Sequence, residues 1–81
     1  MTVSTGFRFD LPVRSEVSIR IFDLHGRMVT VLGQGTVVDA GQYRWNWNGR
    51  DQAGARVPSG VYFYRLTTPF FSKTRRIVIN G

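Results

Sequence analysis

The chain has 81 residues, 42% of them hydrophobic, and carries 11 basic against 5 acidic side chains for a net charge of +6. That length suits one domain with one core and excludes a two-domain enzyme. Cysteine is absent, which rules out disulfides, thiol nucleophiles and thiolate metal sites and leaves packing to hold the fold.

Apolar residues alternate with period two, and no stripe of period 3.6 persists over three turns, so the chain reads as all-β. Phe7, Phe9 and Leu11 share one face of a first strand, which Pro12 ends by removing a ladder donor. On a second strand, Glu16 to Phe22, Val17, Ile19 and Ile21 face inward. Asp23-Leu24-His25-Gly26 then has the make-up of a turn in which the carboxylate bonds nearby N–H groups and Gly26 takes positive φ. A third strand runs from about Arg27 to Leu32, and Gly33-Gln34-Gly35 is expected to break it. Gly41 turns the chain into a fourth strand with Tyr43, Trp45 and Trp47 inward and Gln42, Arg44 and Asn46 outward. Asn48-Gly49 is a tight-turn signal, Asp51 sits in the polar excursion after it, and a short piece around Arg56 and Val57 counts as a fifth strand. Gly60 opens Val61 to Leu66, apolar on both faces with Tyr62 and Tyr64 in the core phase, as a central strand would be. Thr67 to Ser72 is a turn presenting Phe70 and Phe71, and Lys73 to Ile79 closes the chain. Seven short strands predict an all-β antiparallel sandwich of immunoglobulin (fibronectin type III-like) type, with a Greek-key barrel as the competitor.

Catalysis finds little to stand on. His25 lies in a turn with no serine or cysteine motif nearby, and Asp10, Glu16, Asp23, Asp39 and Asp51 occupy turns or outward strand positions. Asn48 and Asp51 offer hard oxygens from one loop, yet the spacing lacks the dense acidic run of a calcium loop and Arg50 interrupts it, so a structural turn is expected. No metal, cofactor or enzyme activity is expected. No stretch approaches the roughly 18 to 20 consecutive apolar residues of a membrane span. Ten of the basic residues are arginine, which invites a nucleic-acid reading. A single-strand binder, however, needs aromatics on the same face as its cations. Tyr43, Trp45 and Trp47 lie opposite Arg44, and Phe7 and Phe9 opposite Arg8. That phase argues against nucleic acid and for arginines that serve solubility and edge protection.

Four segments carry a family resemblance: Ser4 to Pro12, Val17 to Val29, Asp39 to Asp51, and Val57 to Leu66. Together, in this order, they resemble the FlgD-like immunoglobulin-like domain, and the same pattern is similar to the C-terminal sorting domains of type IX secretion cargo. The resemblance implies a module of a larger secreted protein, recognised by outer-membrane secretion machinery, with the parent chain's passenger domains released or attached to surface lipopolysaccharide. Met1 to Thr5 has none of the marks of a signal peptide, so an extracellular or cell-surface role needs an address carried elsewhere in the parent. In the sibling setting, the flagellar hook-cap protein, a similar domain is part of an assembly scaffold. The sorting version ends in a basic strand followed by apolar residues, which Lys73, Arg75 and Arg76 with Ile77, Val78 and Ile79 match; these form the candidate recognition strand. Two departures are the missing Asn-Pro-rich lead-in, replaced by Met1-Thr2-Val3, and Asn48 where aspartate is common. The primary expectation is thus a non-enzymatic sorting or attachment module. The alternative is a structural assembly unit that self-associates through exposed edges and apolar groups such as Phe70 and Phe71. A third is binding of a polyanion such as a surface polysaccharide.

Overall fold

The computed structural model describes residues 5–79, apart from the side chains of Thr5 and Phe7, so the expected core residue Phe7 lies outside the described side chains. Period-two alternation produces six strands: β1 (Thr5–Leu11), β2 (Ser15–Phe22), β3 (Met28–Val38), β4 (Gly41–Trp47), β5 (Gly60–Thr67) and β6 (Ser72–Ile79). A two-stranded sheet, β1-β4, covers part of a four-stranded sheet ordered β3-β2-β5-β6, and every pairing is antiparallel.

The seventh strand expected around Arg56 and Val57 is not there. Arg56 forms an isolated bridge to Arg50 in place of a strand, because the backbone groups of this stretch are used within the loop. Asp51 N–H donates to Ala55 O and Val57 N–H to Gly49 O, both at 2.9 Å. The expected break at Gly33-Gln34-Gly35 is also absent. β3 runs 11 residues beside the 8 of β2, and the register shifts at three places absorb the excess as bulges. Gly35 takes φ +64°, the left-handed backbone a bulge needs, and its N–H donates to Ser18 Oγ at 3.1 Å. Two glycines therefore bend a strand that sequence reading takes to end.

The dry layer between the sheets receives Val17, Ile19 and Ile21 from β2, Tyr62, Tyr64 and Leu66 from β5, Ile77 and Ile79 from β6, Phe9 and Leu11 from β1, and Trp47 from β4. Each buried large side chain contributes about 1.5–3 kcal/mol. Trp47 and Tyr62 meet edge to face across the layer, centroids 5.4 Å apart, and join the two sheets. Trp45, expected inside, is only half-buried; its ring lies over Gly33, where an added Cβ would meet it at 3.0 Å, and it forms the margin of the core on the β3 side. β4 thus sits over β3, while β1 approaches β6 on the other side. Central β5, flanked by β2 and β6, buries Tyr62, Tyr64 and Leu66 on its inner face and half-buries Val61 and Phe63 on its outer one.

Candidate functional site

Two of the five carboxylates, Asp23 and Asp51, are committed to turns. Asp23 Oδ1 accepts from His25 N–H (2.8 Å) and Arg27 N–H (3.0 Å), and Oδ2 accepts from Arg27 Nε (3.1 Å). The bond from the Arg27 backbone leads the causes that hold its carboxyl below the ordinary carboxylate value. Asp51 Oδ1 accepts from Ala53 and Ala55 N–H, both at 3.0 Å, and Asn48 Oδ1 from Arg50 N–H at 3.1 Å. Those oxygens point at backbone donors rather than converging on a cation, and among the described residues no cluster of three acidic or histidine ligands forms. Gly26, Gly41, Gly49 and Gly60 all occupy positive φ at strand ends, as their turns require.

Antiparallel topology divides the connections between two ends of the sandwich. The β1–β2, β3–β4 and β5–β6 connections meet at one end, the β2–β3 turn and the long β4–β5 loop at the other. At the first end the expected pair Phe70-Phe71 splits. Thr68 Oγ1 accepts from both Phe70 and Phe71 N–H at 3.1 Å, and this clamp folds Phe71 against the core while leaving Phe70 68% exposed. Val13 and Val37 are exposed at the same end. The opposite end holds a hollow of about 670 Å³ lined by Leu24, Met28, Val57 and Val61 among others.

The candidate recognition strand is part of the core rather than a free tail, since Ile77 and Ile79 are buried. Strand phase separates its cations. Arg76 and Val78 face outward, whereas Lys73 and Arg75 share the inward phase of Ile77 and lie opposite Leu66 and Tyr64. They line an open cleft of about 570 Å³ together with Arg8, Arg44, Phe9 and Tyr43. Asp10 is the one carboxylate in that lining. Neither of the ion pairs among the described residues, Arg14–Asp39 at 3.6 Å and Arg27–Asp23 at 3.1 Å, involves these four cations. Arg8 and Arg44 are direct cross-strand partners, a repulsive arrangement, and the Arg44 side chain turns away over Gly6. Burial raises the Tyr64 hydroxyl above its ordinary value, with the charge of nearby Arg75 pulling it back.

The outer face of the four-stranded sheet corrects the phase expectation. Phe22 and Phe63 pair there beside Arg20 and Arg65, and Arg76 lies opposite Phe63. Arg65 stacks over Phe22 at 5.5 Å from the ring centroid. Aromatics and arginines are opposed on β1 and β4 but interleaved here. The signal was present in the sequence, in the two-faced run Val61 to Leu66.

Residues 2–69 match the family model of the FlgD Ig-like domain. The chain belongs to this family. It is similar to the crystal structure of FlgD from P. aeruginosa, with a TM-score of 0.74 and 27% identity over 94% of this chain. The alignment spans 58% of that FlgD chain. No curated protein matches. The matches support an all-β immunoglobulin-like fold and the FlgD side of the resemblance; they lend nothing to the type IX sorting side. The FlgD Ig-like match stops before β6, so Lys73, Arg75 and Arg76 lie beyond it.

Proposed function

We propose that this domain is a structural assembly module without catalytic activity, in which copies associate end to end. Membership of the FlgD Ig-like family carries the reading, because the resemblance implies a scaffold role. The two ends of the sandwich support it. Phe70 is a knob at one end, and the hollow lined by Leu24, Met28 and Val57 lies at the other. A knob of one copy in the hollow of the next is a heterologous contact that repeats instead of closing. One aromatic knob supplies about 1.5–3 kcal/mol, less than the roughly 4 kcal/mol of millimolar affinity. Association of isolated domains is therefore weak and depends on high local concentration.

Light scattering at rising concentration and salt tests this. The average mass should grow. Phe70→Ser and Leu24→Ser should each stop the growth without lowering the melting temperature, since both side chains are exposed. Mixing the two variants should restore pairs, because one keeps the knob and the other the hollow. A native chain whose average mass at about ten millimolar in high salt is no greater than that of Phe70→Ser would sink the proposal. The sorting alternative rests on the exposed cations of β6. Truncating this strand would remove buried Ile77 and Ile79 and unfold the domain. Reversing Lys73, Arg75 and Arg76 to Glu in the parent protein is the sound test: lost export favours sorting, unchanged export favours assembly.

A further inference from the structure

We infer that the basic cleft beside β1 and β6 is a docking site for an extended acidic segment of another protein, added as a strand along the free edge of β6. Three observations converge on this occupant. The first is charge: Arg8, Arg44, Lys73 and Arg75 line the cleft against the single carboxylate of Asp10, and no ion pair with a described residue neutralises them. Arg8 and Arg44 are cross-strand neighbours of like charge, and a bound anion would relieve what repulsion remains after Arg44 turns over Gly6.

The second is the backbone. β6 ends the four-stranded sheet and β1 belongs to a two-stranded one; the two approach each other, but no ladder joins them. Among the described residues no strand pairs with the outer side of β6, so its peptide groups there can take an incoming strand, the mode in which main-chain bonds give affinity and alternate side chains give specificity. The third is period. Lys73 and Arg75 are two residues apart on one face of β6, roughly 7 Å along the strand. Phe9, Tyr43, Tyr64 and Leu66 supply an apolar floor. A segment with an acidic side chain at every second position turns all of them toward Lys73 and Arg75, and its intervening apolar side chains fall on the outer face beside Val78. A second copy of this chain does not fit, because its five carboxylates are dispersed, with Asp23 and Asp51 committed to turns and Asp39 paired to Arg14.

The test is fluorescence anisotropy of the 81-residue chain with a labelled peptide alternating glutamate and valine. Controls of equal length alternate glutamine and valine, carry N-methyl groups on the pairing amides of the glutamate peptide, or are a single-stranded oligonucleotide. The glutamate peptide should bind best, losing affinity about tenfold between ~50 and ~200 mM salt. Lys73→Glu with Arg75→Glu should abolish binding while the variant melts as the native chain does. Arg8→Gln with Arg44→Gln should weaken binding by about tenfold yet melt no lower. Arg20→Glu, on the outer sheet face, should leave the affinity unchanged. Equal binding of the glutamine or the N-methylated peptide overturns the inference, as does tighter binding of the oligonucleotide or full binding by the Lys73/Arg75 double variant.

Discussion

Trp47 is the side chain on which the two sheets and the long loop jointly depend. It is 1% exposed, packs edge to face on Tyr62 across the core, and its indole N–H donates to Arg50 O at 3.0 Å, tying the β4–β5 loop to the sheet. Trp47→Ala removes both functions and leaves a cavity, at a cost of about 3–5 kcal/mol. A domain of 81 residues holds roughly 4–12 kcal/mol in total, so the variant gives up between about a quarter and all of it. Trp47→Phe separates the two functions. The ring stays against Tyr62, while the bond to Arg50 is lost at about 0.5–1.5 kcal/mol and the smaller ring costs about 1 kcal/mol more. Urea unfolding followed by circular dichroism is the assay. With a slope near 1 kcal/mol per molar, as in small domains, Trp47→Phe should move the midpoint down by about 2 M, and Trp47→Ala by about 3–5 M. An alanine variant with the native midpoint would falsify the placement of the core.

Gly33→Ala should cost about 1–3 kcal/mol, because the new methyl meets the Trp45 ring at 3.0 Å, and adding Trp45→Phe, which clears that ring edge, should recover most of the loss in the same urea assay. Burial raises the folded-state values of Tyr62 and Tyr64 above the ordinary tyrosine value of about 10. Their contribution is whole below that pH and is lost as pH rises from there through the folded values, so the melting temperature should fall steeply above pH ~10 and less steeply in Tyr64→Phe; identical slopes would contradict the burial of Tyr64. Asp23 has the opposite sign: its lowered value means its contribution is present above the ordinary carboxylate range and is lost as pH falls through the folded value. Melting profiles of native and Asp23→Asn chains should therefore converge in acid, and parallel profiles would count against the turn bonds as the cause.

Strand phase was legible wherever one face of a strand is wet and the other dry. Val17, Ile19 and Ile21, with Ser18 and Arg20 between them, declare their faces by alternation alone. Two kinds of position defeat that reading. The first is the bulge: at Gly33 and Gly35 glycine marks a bend within a paired strand, and composition does not distinguish this from a strand end, because partner register decides it. The second is lateral coverage. Lys73 and Arg75 keep the inward phase of Ile77 and Ile79 but lie beyond the cover of the short β1-β4 sheet, so phase is right while burial is not. The basic cleft is therefore a product of unequal sheet sizes, four strands against two.

The two proposed contacts respond oppositely to salt, which makes each a control for the other. End-to-end stacking through Phe70 is apolar and joins two chains of charge +6, so screening removes repulsion and strengthens it. The cleft attracts carboxylates through Arg8, Arg44, Lys73 and Arg75, so screening weakens it. At low salt the domain should bind the acidic segment and remain apart from its copies; at high salt it should release the segment and associate. If both contacts weaken together in salt, the Phe70 contact is electrostatic and the knob-and-hollow geometry is wrong. If both strengthen, the four cations do not form the binding surface. Phe70→Ser should alter only the salt-strengthened process, and Lys73→Glu should weaken segment binding while leaving association unchanged in high salt, where net charge is screened, since the tip of the β5–β6 turn and the lining of the cleft share no side chain.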